Sequence, residues 1–232
     1  YFHRNDQSRL VHYEGVFWNR AYSHISDMES RMYAKPDEIE DYLKHNSQKP
    51  YISCEYMHSM GNSTGGLGLY TRLEQKYERY QGGFIWDYID QSLLRLNEQG
   101  EEVQAYGGDY DDRPTDYEFC ANGIVYATRK ASPKAQEVKA LYSNVKVRLD
   151  EEGFEVKNEN LFLSTGGYVF VCRIMREGTC LFQKEMKEEV MPGSTRYVKM
   201  KYPGMDHPGE YVYEVSVRLA EDTAWANKGH EI

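Results

Sequence analysis

Pro50-Tyr51-Ile52-Ser53-Cys54-Glu55 is a short apolar run that ends in a carboxylate, and Gly61-Asn62-Ser63-Thr64-Gly65-Gly66 follows it. The run is too short for a helix and is bounded by turn residues, so it reads as a buried strand that feeds a loop. Downstream, Leu69, Leu73, Tyr77 and Tyr80 recur at helical spacing and predict one stripe of an amphipathic helix. Phe84-Ile85-Trp86-Asp87 then reads as the next strand. Upstream, Val11-His12-Tyr13-Glu14 is a short strand candidate. Pro36 opens a helix with Asp37 and Glu38 in its first turn and Ile39, Tyr42 and Leu43 on one face. Further on, Ser132 can cap a helix that starts at Pro133, with Ala135, Val138 and Leu141 facing inward. Strand, loop and helix in repetition indicate a parallel sheet or barrel.

Beyond Asn144 the apolar period changes from helical to two. Val145, Val147 and Leu149 alternate with charged residues, Glu151-Glu152-Gly153 turns the chain, and Phe154 and Val156 resume the alternation. Phe170, Cys172 and Ile174 repeat the pattern before a turn at Glu177-Gly178, and Tyr211, Tyr213, Val215, Val217 and Leu219 repeat it again. This half predicts an antiparallel β-sandwich of immunoglobulin type. The expected domains are 1–143 and 144–232, an α/β unit followed by an all-β unit.

The 232 residues carry a net charge of −9, with lysines and arginines dispersed, so no basic surface exists for phosphate backbones and nucleic acid is not an expected partner. No apolar run reaches membrane-spanning length, and neither an initiator Met nor a signal-peptide core opens the chain. A piece of a larger protein is therefore expected. Four scattered cysteines without a CxxC pair suit reduced thiols in the cytoplasm. The 21 tyrosines and 3 tryptophans supply flat amphipathic rings that suit sugar faces, although such rings also simply pack cores.

In a parallel barrel the reactive groups sit at the C-terminal ends of strands. Three candidate ends are rich in functional side chains: Arg31-Met32-Tyr33, Cys54-Glu55-Tyr56-Met57-His58 and Trp86-Asp87-Tyr88-Ile89-Asp90. A polar cluster over 109–122 is a fourth. Singly, each residue has an ordinary reading: a carboxylate is usually solvated, a lone histidine usually hydrogen-bonded structure, a tryptophan usually core. The glycine-rich loop lacks the Lys-Ser/Thr of a phosphate loop, the seven histidines show no zinc spacing, and Ser63 lacks an esterase elbow.

Taken together, ISCEYMHSMGNSTGG, QGGFIWDYIDQSL, AYGGDYDD and FCANGIVYATRKASPKAQEVK resemble, in order and spacing, the lac-type β-galactosidases of glycoside hydrolase family two. The similarity runs from about Asp6 to AWANKGHEI at the end. It implies the C-terminal half of a (β/α)8 TIM barrel, strands five to eight, followed by an immunoglobulin-like sandwich. Position by position, it implies that Glu55 is the nucleophile, Tyr33 its hydrogen-bond partner and His58 the residue that grips galactose hydroxyls. Trp86 is implied as the platform under the galactosyl ring, the backbone carbonyl of Phe119 and the Asn122 side chain as sodium ligands, and Asp116 as lining the same corner.

The implied chemistry is hydrolysis of β-D-galactosides by double displacement, which needs a second carboxyl group as acid/base. In the family that Glu lies in a GNESG-like block upstream, and neither it, nor the magnesium ligands, nor the Asp that completes the sodium site occur in this sequence, so the implied sodium site is partial. The isolated chain is therefore expected to be inactive, and to associate with itself or with the N-terminal half. Two alternatives remain open: a noncatalytic galactose-binding or scaffold protein, and one chain of a split enzyme.

Overall fold

A computed structural model of the chain describes residues 1–45 and 48–232. Its contacts separate two units, Tyr1–Leu141 and Tyr142–Ile232, a division two residues before the expected one.

The first unit is mixed α/β. A single-turn helix α1 (Phe2–Asn5) precedes two 3-10 turns at Glu14–Phe17 and Arg20–Ile25, and the helix α2 (Pro36–His45) follows. Ile39 and Leu43 on α2 are buried and Tyr42 packs beside them, as their spacing predicts. Strand β1 (Tyr51–Tyr56), helix α3 (Leu67–Lys76) and strand β2 (Tyr80–Ile85) form a β-α-β unit in which β1 and β2 pair in parallel. Gly83 allows their close approach, because a Cβ there would lie 2.7 Å from that of Ser53. Ala34, Ile39, Leu43, Tyr51, Leu73 and Tyr80 form the core between these strands and helices.

Two predicted patterns fail. Leu69 is half exposed and Leu67 and Leu73 are the buried residues of α3, while Tyr77 caps its end and Tyr80 already belongs to β2. The helix therefore starts and stops earlier than the stripe implies. Val11-His12-Tyr13 is no strand either. Asp27 Oδ2 and the Ser26 hydroxyl accept from the Val11 and Tyr13 amides, and Glu14 enters a 3-10 turn. A single parallel bridge, Glu29 to Tyr51, continues the sheet on the far side of β1.

A hairpin of β3 (Leu93–Leu96) and β4 (Glu102–Ala105) follows, and then helix α4 (Lys134–Tyr142). Ser132 does not cap α4. Its carbonyl accepts from the Ala135 amide while its buried hydroxyl has no partner among the described residues. Ala135, Val138 and Leu141 are half-buried rather than core.

The second unit is a sandwich of two three-stranded antiparallel sheets. Its strands are β5 (Val145–Leu149), β6 (Gly153–Asn158), β7 (Tyr168–Arg176), β8 (Thr179–Met186), β9 (Thr195–Lys199) and β10 (Tyr211–Leu219). The sheet orders are β5-β6-β9 and β10-β7-β8. Val145, Phe154, Val156 and Val198 from one sheet meet Phe170, Cys172 and Val217 from the other in a single core. Glu177 and Gly178, both with positive φ, make the β7–β8 turn.

Candidate active site

Glu55 is the fifth residue of β1, and its neighbours give the site its shape. The Tyr33 hydroxyl donates to Glu55 Oε2 at 2.9 Å, and the Tyr33 amide donates to the Glu55 carbonyl at 2.9 Å. Burial first, then the hydrogen bond to Glu55, pushes the Tyr33 phenol well above its ordinary value, so it remains a proton donor at neutral pH. Tyr33 and Met57, before and after Glu55 in the sequence, both adopt left-handed backbone, with φ of 52° and 53°. Such conformations cost of order 1 to 3 kcal/mol each and persist where surrounding structure enforces them.

His58 follows on the loop after β1, its ring 6.0 Å from that of Tyr33 and 6.5 Å from that of Phe119. The Met60 amide donates to His58 Nδ1 at 3.3 Å, so in the neutral ring Nε2 carries the proton and is free to donate to a ligand oxygen. The loop closes on itself through the Ser63 hydroxyl, which donates to the carbonyls of His58 at 2.5 Å and Met60 at 2.7 Å.

Trp86 directly follows β2. Its amide donates to the Tyr56 carbonyl at 3.2 Å and its carbonyl accepts from the Ser59 amide at 2.7 Å, which ties it to the Glu55 loop at both ends. Its indole is 37% exposed, enough to offer a face to a ligand. The Trp86–Asp87 peptide is cis, and the Asp87 amide donates to the Asn122 carbonyl at 2.9 Å. Tyr33, Glu55, His58, Trp86, Phe119 and Asn122 are thus joined in one network. Asp116 is exposed and enters it only through its backbone, which accepts from the Phe119 amide at 3.3 Å.

Asn122 is 1% exposed, and its Oδ1 has no partner among the described residues. Its Nδ2 donates to the Phe119 carbonyl at 2.9 Å. A buried amide oxygen without a donor beside a backbone carbonyl is the donor chemistry of a hard cation, so these residues fit sodium. Among the described residues no group of three or more His, Cys, Asp or Glu side chains is placed to hold a metal, and magnesium enters no step here.

Two further residues bear on the site, Asp90 from the third candidate strand end and Lys134, which the sequence did not single out. Asp90, mostly buried, accepts from the Gly123 amide at 2.6 Å, and Gly123 fits only because it lacks a Cβ, which would lie 2.1 Å from the Asp90 nitrogen. Lys134 reaches the loop of His58 from α4. Nothing in the local sequence distinguishes Lys134 from a solvated charge.

A parallel β-α-β unit that presents a carboxylate near a strand end, hydrogen-bonded by Tyr33 with His58 beside that ring, has its polar side chains where a parallel barrel places reactive groups. Residues 1–147 match the family described as "Glycosyl hydrolases family 2, TIM barrel domain", and residues 154–232 match "Beta-galactosidase, domain 4". The chain belongs to glycosyl hydrolase family 2. It is 58% identical, over its whole length, to a β-galactosidase of Halalkalibacterium halodurans and covers 23% of that protein. It is 54% identical to one of Clostridium acetobutylicum, again over its whole length and 26% of the relative. A "Beta-galactosidase large subunit" of Latilactobacillus sakei is 55% identical over 63% of this chain and 24% of its own. The chain thus spans about a quarter of the length of these curated relatives.

Proposed function

We propose that this chain is the nucleophile-bearing part of a retaining β-galactosidase. The observation that carries the reading is the Tyr33 hydroxyl donated at 2.9 Å to Glu55 where β1 ends, within the rings of His58 and Phe119. On this reading Glu55 attacks the anomeric carbon of a terminal β-D-galactoside, and water later releases the sugar from the ester. Tyr33 holds the carboxylate at the attack angle, His58 donates from Nε2 to sugar hydroxyls, and Trp86 offers its face to the galactosyl ring. Asn122 and the Phe119 carbonyl would hold sodium, which supplies positive charge to a sugar hydroxyl. Asp116 lines the same corner.

The acid/base carboxyl, about 5 to 5.5 Å from the nucleophile in a retaining site, comes from another part of the enzyme. β1 and β2 are then barrel strands seven and eight, the bridge at Glu29 and the extended Val11–Tyr13 region strands six and five, and the sandwich an immunoglobulin-like domain. Four free thiols suit the cytoplasm. The relatives named as large subunits, matched over 61% to 63% of this chain, favour a second arrangement in which the enzyme is divided between two chains.

Glu55→Gln in a full-length enzyme that contains this chain is expected to lower kcat about a thousandfold or more. A 2-deoxy-2-fluorogalactosyl donor should leave its adduct on the peptide that contains Glu55. Turnover of a nitrophenyl β-galactoside by Glu55→Gln, or an adduct on a different carboxylate, would sink the reading.

A further inference from the structure

We propose that Lys134 is a positioning residue: its ammonium group clamps the loop after Glu55 to the start of α4 and thereby sets the placement of His58 and Trp86. A lysine in the first turn of a helix is ordinarily a solvated charge, poorly placed against the helix dipole. Here its Nζ instead donates to the carbonyls of Ser59 and Gly61, 75 and 73 residues earlier, the Gly61 bond at 3.2 Å. Charge-assisted bonds of this kind are about twice as strong as neutral ones. Burial pushes the Lys134 ammonium below its ordinary value while the charge of Asp90 opposes the shift, as a cation partly withdrawn from water requires.

The loop that Lys134 grips is itself fastened to the site. Ser59 is fully buried, its amide donates to the Trp86 carbonyl at 2.7 Å, and its hydroxyl pairs with that of Thr64 at 2.7 Å. Ser59 is also the residue next to His58. One ammonium therefore holds the carbonyl of a residue whose amide holds Trp86 and whose chain neighbour is His58. Removing the ammonium leaves the Ser59 carbonyl without its cationic donor and frees the His58 loop to move relative to Glu55. A shift of about 1 Å in a positioning group can cost a hundredfold in rate.

The inference rests on the functional reading above, so two readouts separate them. In this chain alone, Lys134→Met should speed amide hydrogen exchange across residues 57–64 at least tenfold and leave exchange in β5 and β6 unchanged. In a full-length enzyme that contains the chain, Lys134→Met should lower kcat at least tenfold, with a smaller change in KM. In the His58→Ala background its further loss should be clearly smaller than in the wild type, because part of its effect acts through the imidazole and only the part through Trp86 remains.

Should Lys134→Met fail to fold, Lys134→Gln keeps a donor in the same corner and carries the same measurements with smaller losses. Unchanged exchange over 57–64, or losses from Lys134 and His58 substitutions that multiply independently, would overturn the clamp. Activity that survives Glu55→Gln while the exchange effect is present would instead overturn the nucleophile assignment and leave the clamp standing.

Discussion

At the scale of the residue, Glu55 is defined by what surrounds it more than by its own type. The 2.9 Å bond from Tyr33 is made to a carboxylate, and such bonds are worth about 1.5 to 3 kcal/mol. Only what is better held in the transition state than in the ground state changes kcat, so Tyr33→Phe in a full-length enzyme should lower kcat about tenfold or more through lost orientation of the carboxylate. Steady-state kinetics on a nitrophenyl galactoside decide it, and a kcat within twofold of wild type would mean that Tyr33 does not hold the carboxylate during attack. Glu55, His58 and Trp86 could be singled out as candidates because strand ends are where a parallel sheet exposes chemistry, while the roles proposed for them come from the family resemblance. Lys134 could not, because a lysine after Ser132-Pro133 looks like any first-turn charge and its partners lie more than seventy residues away.

Among the elements, the sandwich strands were easiest to read, because one buried face imposes a strict period of two. Phe154, Val156, Phe170, Cys172 and Val217 all fall on the predicted faces and all are buried. β9 was missed because it buries only Val198 of its five residues, and β3 because all four of its residues are exposed. The stripe from Leu69 to Tyr80 misled because the helix ends at Lys76, so residues at helical spacing belong to three different local structures. Phe170 is fully buried against Phe154, ring centroids 5.9 Å apart, so Phe170→Ala should destabilise the second unit by about 3 to 5 kcal/mol.

The turn between β5 and β6 carries its own pH dependence. Asp150 Oδ1 accepts from the Tyr197 hydroxyl at 2.6 Å and the amides of Glu152 at 2.8 Å and Gly153 at 3.0 Å. These bonds, led by that of Tyr197, hold the Asp150 carboxyl below its ordinary value. A lowered acid stabilises the fold above its unfolded pKa, and the contribution is lost as pH falls through the folded value. Amide exchange at Glu152 and Gly153 should therefore accelerate below about pH 4 in the wild type. In Asp150→Asn the exchange should already be fast at neutral pH and should show no acid step beyond the intrinsic exchange chemistry.

For the whole molecule, the first unit leaves more apolar surface in water than a self-contained domain tolerates. Phe84 on β2 is 62% exposed, Tyr88 68%, and Leu93 and Leu96 on the β3–β4 hairpin 62% and 68%. β2 pairs with β1 on one side and, among the described residues, with no further strand on the other, so the sheet ends in an open edge there. Exposed rings and an open parallel edge are complementary to more sheet and more barrel, and the curated relatives, of whose length the chain spans about a quarter, hold sequence beyond the matched segment. On its own, the chain should instead associate with itself. Sedimentation velocity from about 1 to 100 µM should show the weight-average coefficient rising with concentration, and Phe84→Lys, which places a charge on an exposed strand position, should suppress the rise. Adding the remaining three quarters of a full-length enzyme should compete with self-association and, on the proposed function, bring activity with it. A chain that stays monomeric across that range, or activity from the chain alone, would mean that these surfaces are tolerated in water and that the unit needs no partner to complete its sheet.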